Sequence, residues 1–178
     1  MKLGMKKVIV AIIALGVAFC ASAQKVAVID MEYVLKNIPM YESANEQLKQ
    51  VSEKWQKEVE AKNEEAKTLY KNYQTEVVFL SDEMKVKKEN EIVAKEKEAN
   101  ELKRKYFGPQ GEFYKKRVSL IQPIQDEVYV AVKQVADAKG YQVVLEKSSS
   151  TNIIYFTPKI DISDEVLEKL GHSGNNSK

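Results

Sequence analysis

Hydrophobic residues change their spacing several times along this chain, and each change marks an element. Behind the charged opening MKLGMKK lies VIVAIIALGVAF, twelve apolar residues in a row, and then Ala21-Ser22-Ala23. Twelve residues at a helical rise of 1.5 Å reach about 18 Å, short of the ~30 Å of a bilayer core. A charged start, a short apolar run and small residues at −3 and −1 make the layout of a cleaved export signal, residues 1–23. Lys25–Asp30, KVAVID, follows with four successive apolar positions, which predicts a short strand covered on both faces. A turn is expected from there to Pro39.

From Met40 to Phe107 there is no Gly and no Pro. Apolar residues recur every three or four positions at Leu48, Val51, Trp55, Val59, Ala66, Leu69, Tyr73, Val77 and Leu80, with Lys62 in the single gap. That is one narrow seam at coiled-coil spacing. A break is expected at Phe79–Glu83, where Ser81 can cap a second helix with an acidic first turn. The second leg has a poorer seam: Met84, Ile92, Ala99, Leu102 and Tyr106. Two helices with one thin stripe each satisfy one another as an antiparallel hairpin but cannot enclose a globular core.

Gly108-Pro109-Gln110-Gly111 interrupts the pattern and predicts a turn, read as a hinge. A wider helical face then runs from Phe113 to Ala138, with Pro123 inside it to kink it or reset its first turn, and Gly140 to stop it. Tyr141–Glu146 and Asn152–Phe156 predict the two strands of a hairpin around the loop Ser148–Thr151. Ser163 opens a last short helix that ends at Gly171. The fold class expected is α+β, mainly α: a helical hairpin arm, 41–107, projecting from a small β-containing body, 24–40 and 108–170, with 171–178 a disordered tail. The body totals only 80 residues. That is marginal alone, and its apolar strand edges invite association between chains.

Charge changes the picture once the export signal is set aside. The whole chain has 28 basic and 26 acidic residues; without Lys2, Lys6 and Lys7 the basic count is 25 and the net charge near −1. That argues against a nucleic-acid partner. Within 42–107 there are 15 acidic and 14 basic residues, intermingled. The single cysteine, Cys20, rules out a disulfide framework. As the acylated residue of a lipoprotein signal it would follow Phe19, where such signals have a small residue. The single histidine, His172, lies in the polar tail without companion ligands, so no metal site is expected. The acid pair Glu64-Glu65 sits on a charged helix without a pocket. No phosphate-loop, dinucleotide, zinc-protease or nucleophile-elbow motif occurs. Neither enzymatic activity nor a cofactor is expected, and any mechanism should be ATP-independent.

KVAVIDMEYVL at the start, the Gly/Pro-free arm, and YQVVLEKSSSTNIIYFTPKIDISDEVLEKL at the end resemble the Skp (OmpH-like) family of periplasmic chaperones over essentially all of 24–170. The arm is the less specific part, since any coiled coil resembles it. The resemblance implies a homotrimer with a β-barrel body and three coiled-coil arms. It also implies a cavity between the arms that holds unfolded outer-membrane β-barrel proteins during their assembly. This chain is near neutral where the best-known members are strongly basic, so bulk charge is a poor explanation of client capture here. The rival reading is a structural coiled-coil protein of the cell envelope, a spacer or scaffold.

Candidate client contacts are Lys103, Arg104, Lys105, Lys115, Lys116 and Arg117 around the glycine break, and Lys85, Lys87 and Lys88 near the arm tip. These cations are also candidates for weak contact with membrane lipid; the alternative is a solvated face that balances the acidic leg. Trp55 and Tyr73 lie on the seam and should pack inside the hairpin, whereas Tyr70 and Phe79 lie off it and are candidates for exposed contact. Candidate oligomer-interface residues are Val26, Val28, Ile29, Val143, Leu145, Ile153, Ile154 and Phe156. Export with cleavage after Ala23 should give a mature periplasmic chain that begins at Gln24. Intact-mass measurement checks this, and an acylated Cys20 at the new N-terminus would overturn it.

Overall fold

The computed structural model describes residues 24–147 and 153–173; the segment expected to be an export signal, the Ser148–Thr151 loop with Asn152, and the last five residues of the expected tail lie outside the described residues. The elements, in order, are β1 (Val26–Ile29), α1 (Met31–Lys36), α2 (Pro39–Glu76) and a 3-10 turn (Val77–Phe79). Then come α3 (Asp82–Phe107), α4 (Glu112–Lys139), β2 (Val143–Glu146), a 3-10 turn (Pro158–Ile160) and α5 (Ser163–Lys169). Two compact units result. One takes the chain up to Asn37 with the chain from Val128, and the other is Ile38–Glu127. The last part of α4 belongs to the first unit and its beginning to the second.

In the first unit, β1 and β2 pair in parallel, with Val26 opposite Val143, Val28 opposite Leu145, and Ile29 opposite Glu146. The antiparallel hairpin expected between 141–146 and 152–156 is not formed. Ile153–Thr157 carries no strand, and Ile154 and Tyr155 stand 98% and 81% exposed. The reason lies in the pairing geometry. A parallel pair needs a long crossover, and residues 30–142, with all four intervening helices, supply it. The other edge of β1 is also taken. Val28 bridges Asp161 in parallel, and the Ile162 N–H donates to the Val28 carbonyl at 2.9 Å. With a partner on each edge, β1 is a central strand; Ala27, Val28 and Ile29 are buried. Continuous apolar composition suits such a strand.

Where the sequence reading has only a turn after β1, there is a helix, α1. Asp30 caps it, its Oδ1 accepting from the Tyr33 N–H at 2.8 Å, and Val34 and Leu35 bury its inner face. α1 packs on α5. Polar bonds tie the two together: the Asp30 N–H donates to Ser163 Oγ at 2.8 Å, Ser163 Oγ donates to Asp161 Oδ1 at 2.6 Å, and Tyr33 Oη donates to Asp164 Oδ1 at 2.8 Å. Ile162, Val166 and Leu167 complete the core with Val128, Ala131 and Val135 of α4. Gly140 and Gly171 hold positive φ, 72° and 79°, just past α4 and α5. There the left-handed conformation lets the chain turn and satisfy the last carbonyls, as in the His172 N–H to Leu167 O bond of 2.9 Å.

The second unit is built on the hairpin of α2 and α3. Its seam follows the predicted one, with Leu48, Val59 and Ala66 buried on α2 and Ile92 and Ala99 on α3. Ser81 caps α3 as expected, accepting from the Met84 N–H at 3.3 Å. At 38 residues, α2 is about 57 Å long. α4 runs unbroken past Pro123.

One ionic clamp holds the small body at its most constrained point. The Lys147 ammonium lies 3.2 Å from Asp30 Oδ2 and 3.5 Å from Asp161 Oδ2, bridging the ends of β1, β2 and the 161–162 segment. Burial alone would raise the Asp30 pKa, but the Tyr33 N–H and Lys147 outweigh it and hold the carboxyl below its ordinary 3.8. Burial likewise disfavours the Lys147 charge, yet Asp30 and Asp161 outweigh it and raise the ammonium above 10.5. A lowered carboxyl contributes stability that is present above 3.8 and lost as pH falls through its folded value. A raised ammonium contributes stability that is present below 10.5 and lost as pH rises through its folded value. Lys147→Met should therefore destabilise the body most at neutral pH. The difference from wild type should shrink near pH 3 and above about pH 11, as read by urea unfolding at each pH.

Candidate functional site

The candidate client contacts lie along the hairpin and around its glycine break. The break is a tight elbow between α3 and α4. The Gly108 N–H donates to Arg104 O at 2.9 Å, the Gly111 N–H to Gly108 O at 2.8 Å, and the Lys115 N–H to Gly111 O at 3.1 Å. A Cβ on Gly108 would stand 2.3 Å from Arg104 O, and one on Gly111 2.7 Å from Tyr106 O. These glycines serve close backbone approach.

Aromatic side chains brace the elbow. Trp55 of α2 stacks on Tyr106 with centroids 4.8 Å apart and planes within 9°. Phe107 meets Trp55 edge-on at 6.4 Å and Phe113 of α4 at 6.1 Å. Such pairs contribute about 0.5–1.5 kcal/mol each beyond burial. Tyr106 Oη donates to Glu58 across the hairpin, and this bond raises the Tyr106 pKa above its ordinary value. Trp55 therefore packs inside the hairpin as expected. Tyr73 does so too, its hydroxyl donating to Glu89 of α3.

The cations divide into paired and unpaired. Lys115 pairs with Glu112 at 3.0 Å, and Lys105 sits 5.6 Å from the Tyr106 ring centroid. Lys103 lines a groove of roughly 560 Å³ on the hairpin with Phe107, Val59 and Asn63. Arg117 lines a second groove, of about 500 Å³, with Phe113 and Leu48. Arg104 is exposed and Lys116 half-buried. Near the tip, Lys85 pairs with Asp82 at 3.0 Å and Lys88 with Glu76 at 2.8 Å. Lys87 is exposed. The basic cluster is thus dispersed over several surfaces.

Tyr70 and Phe79 are exposed. Sequence reasoning passed over their neighbours Val78, Val86, Val93 and Phe107, all exposed as well, and placed Met84 on the seam although it is exposed, since the helix only begins there and has no turn before it to pack against. A signal for two of them was present, because Val86 and Val93 stand seven apart and off the seam. Of the interface candidates, Val28 and Ile29 are buried by their own chain. Val26, Leu145, Ile153 and Phe156 are half-buried, and Val143 and Ile154 exposed. Among the described residues no helix is long and apolar enough to cross a membrane, and no group of three or more His, Cys, Asp or Glu could hold a metal.

The family model for the OmpH-like outer membrane proteins matches residues 25–170. The chain belongs to that family. A crystal structure of an OmpH-like candidate outer membrane chaperone from Caulobacter crescentus superposes with a TM-score of 0.61 at 17% identity. The match covers 84% of this chain and 85% of that one, and shows a shared fold. No curated protein matches the sequence.

The elbow supplies a test of its geometry. Gln110 is its only residue other than glycine with positive φ, 58°. Gln110→Gly should raise stability by about 1 kcal/mol, since glycine adopts that conformation without strain. Gly111→Ala should lower it by forcing backbone apart. Thermal melts of both variants check the pair of signs, and equal melting temperatures would show an elbow that yields freely.

Proposed function

We propose that this OmpH-like chain is an exported, ATP-independent holdase that binds unfolded outer-membrane β-barrel proteins between helical arms and prevents their aggregation. Family membership over 25–170 and the likeness to a candidate outer membrane chaperone support a chaperone role. The observation that carries the holding mechanism is the hairpin's own surface. It leaves Tyr70, Val78, Phe79, Val86 and Val93 exposed where a plain spacer would present charge. Many weak apolar contacts on such walls slow the escape of a chain that has not yet buried its own apolar residues.

Charge assists capture in this reading and does little of the holding. The arm is nearly balanced in charge and several of its lysines are already paired. The chains associate through the body as trimers in the periplasm. The exposed Val143 and Ile154, with half-buried Leu145, Ile153 and Phe156, form the joining surface, while Val26, Val28 and Ile29 support β2 beneath it.

The test is light scattering when an unfolded β-barrel protein is diluted from urea in the presence of the mature chain. Protection should survive molar salt, because screening acts on exposed charges beyond about 8 Å already at physiological ionic strength and leaves apolar contact intact. Neutral replacements of Lys103, Arg104, Lys105, Lys115, Lys116 and Arg117 should slow capture as salt does. Loss of all protection in high salt would make the basic cluster the principal holder. Absence of protection in every buffer would favour the structural coiled-coil reading.

A further inference from the structure

Chain reversals at a protein surface are ordinarily polar, because their side chains meet water. The reversal at the tip of this hairpin is not. Four apolar residues run in succession from Val77 to Leu80, between Glu76 and Ser81. The seam takes in only part of them: Val77 and Leu80 are half-buried, whereas Val78 and Phe79 stand 77% and 86% exposed. Met84, in the first turn of α3, adds a third apolar side chain, 50% exposed. Much of the backbone here finds partners within the turn. The Leu80 N–H donates to Val77 O at 3.4 Å, the Met84 N–H to Ser81 Oγ at 3.3 Å, and the Lys85 N–H to Ser81 O at 3.0 Å. Charges beside the tip are compensated as well. Residues 76–89 hold four acidic and three basic side chains. Of these, Lys85 pairs with Asp82, Lys88 pairs with Glu76, and Glu89 accepts from the Tyr73 hydroxyl.

We infer that this apex is a membrane-contact site, where Val78 and Phe79 enter the interfacial layer of a phospholipid bilayer without need of anionic headgroups. Shape is the first reason. Side chains so exposed at the end of a two-helix hairpin form a convex point, which a protein could cover only with a matching hollow. A bilayer interface closes around such a point without one. Size is the second. The three apolar side chains offer on the order of 300 Å², against about 800 Å² per partner in a stable protein interface. Charge is the third. A net charge of −1 over 76–89 gives anionic lipid no attraction, and two of the three lysines are already engaged. The bonded N–H groups of Leu80, Met84 and Lys85 also lessen what the turn loses when it leaves water. Among the described residues no helix is long and apolar enough to cross a membrane. The contact is therefore shallow, within about 5–10 Å of the headgroup boundary, and reversible, since even a whole acyl chain holds only reversibly. Such contact needs no client and stands apart from the holdase reading.

The experiment floats the mature chain with vesicles of phosphatidylcholine alone, or with added phosphatidylglycerol, in low and in molar salt. Both kinds should carry the protein, and molar salt should not release it. The double variant Val78→Ser/Phe79→Ser should bind about tenfold more weakly through lost apolar contact, with an unchanged thermal melt because neither side chain is packed. The triple variant Lys85→Gln/Lys87→Gln/Lys88→Gln should bind phosphatidylcholine as wild type does. Absence of binding to phosphatidylcholine overturns the inference, as does binding to anionic vesicles alone that salt abolishes. Full binding by the double serine variant overturns it too. If that variant sediments as a smaller assembly than wild type, the apex is an interface between copies instead. If it binds vesicles normally but no longer suppresses β-barrel aggregation, the apex is a client contact instead.

Discussion

Everything in the hairpin follows from one limit: two helices facing each other can bury only one stripe apiece. Val59 and Ala66 against Ile92 and Ala99 use that stripe fully. The remaining surface has no core to enter, so its character is set residue by residue. Charged residues solvate most of it, and some pair across the hairpin, as Lys88 with Glu76. Where charge is absent, Tyr70, Val86 and Val93 stay in contact with water. An apolar side chain left there is unfavourable for solubility and available to a partner. A narrow seam is therefore both the reason the arm is stable and the reason it has surface to spare.

The elbow fixes the register on which that seam depends. Gly108 and Gly111 let the turn close on the last carbonyls of α3 more tightly than any side chain would permit, and the Trp55–Tyr106 stack locks the base of the hairpin beside them. A slide of α3 along α2 by even one turn would part Tyr73 from Glu89 and Tyr106 from Glu58.

The body solves a different problem, that of having few residues. A four-residue strand between two partners, a helix capped by Asp30, and Lys147 between two carboxylates bring residues 26–37 and 143–167 into one small core. The price of that economy is an open side. Val143, Ile154 and Tyr155 carry apolar surface that the single chain leaves uncovered.

Period alone made the arm legible. A seam at steps of three and four, no Gly or Pro, and a capping Ser81 are local properties, and local rules act the same way whatever the rest of the chain does. The same holds for the glycines at 108, 111, 140 and 171, whose places as helix ends were readable. The body was less legible. Which strand pairs with which is decided by distant partners: β2 joins β1 in parallel across all four intervening helices, and Asp161 takes the other edge, so the short-range hairpin signal of 141–156 lost to a longer-range one. α1 was missed because a single turn and a half of helix carries too little period to register, and its reality depends on packing against α5. The candidate contacts followed the same division. Sequence separated Trp55 and Tyr73 from Tyr70 and Phe79 because that needs only a helical wheel. Which of them meets a partner on the other leg, as Trp55 meets Tyr106, required knowing how one helix sits against the other, and only the folded hairpin decides that.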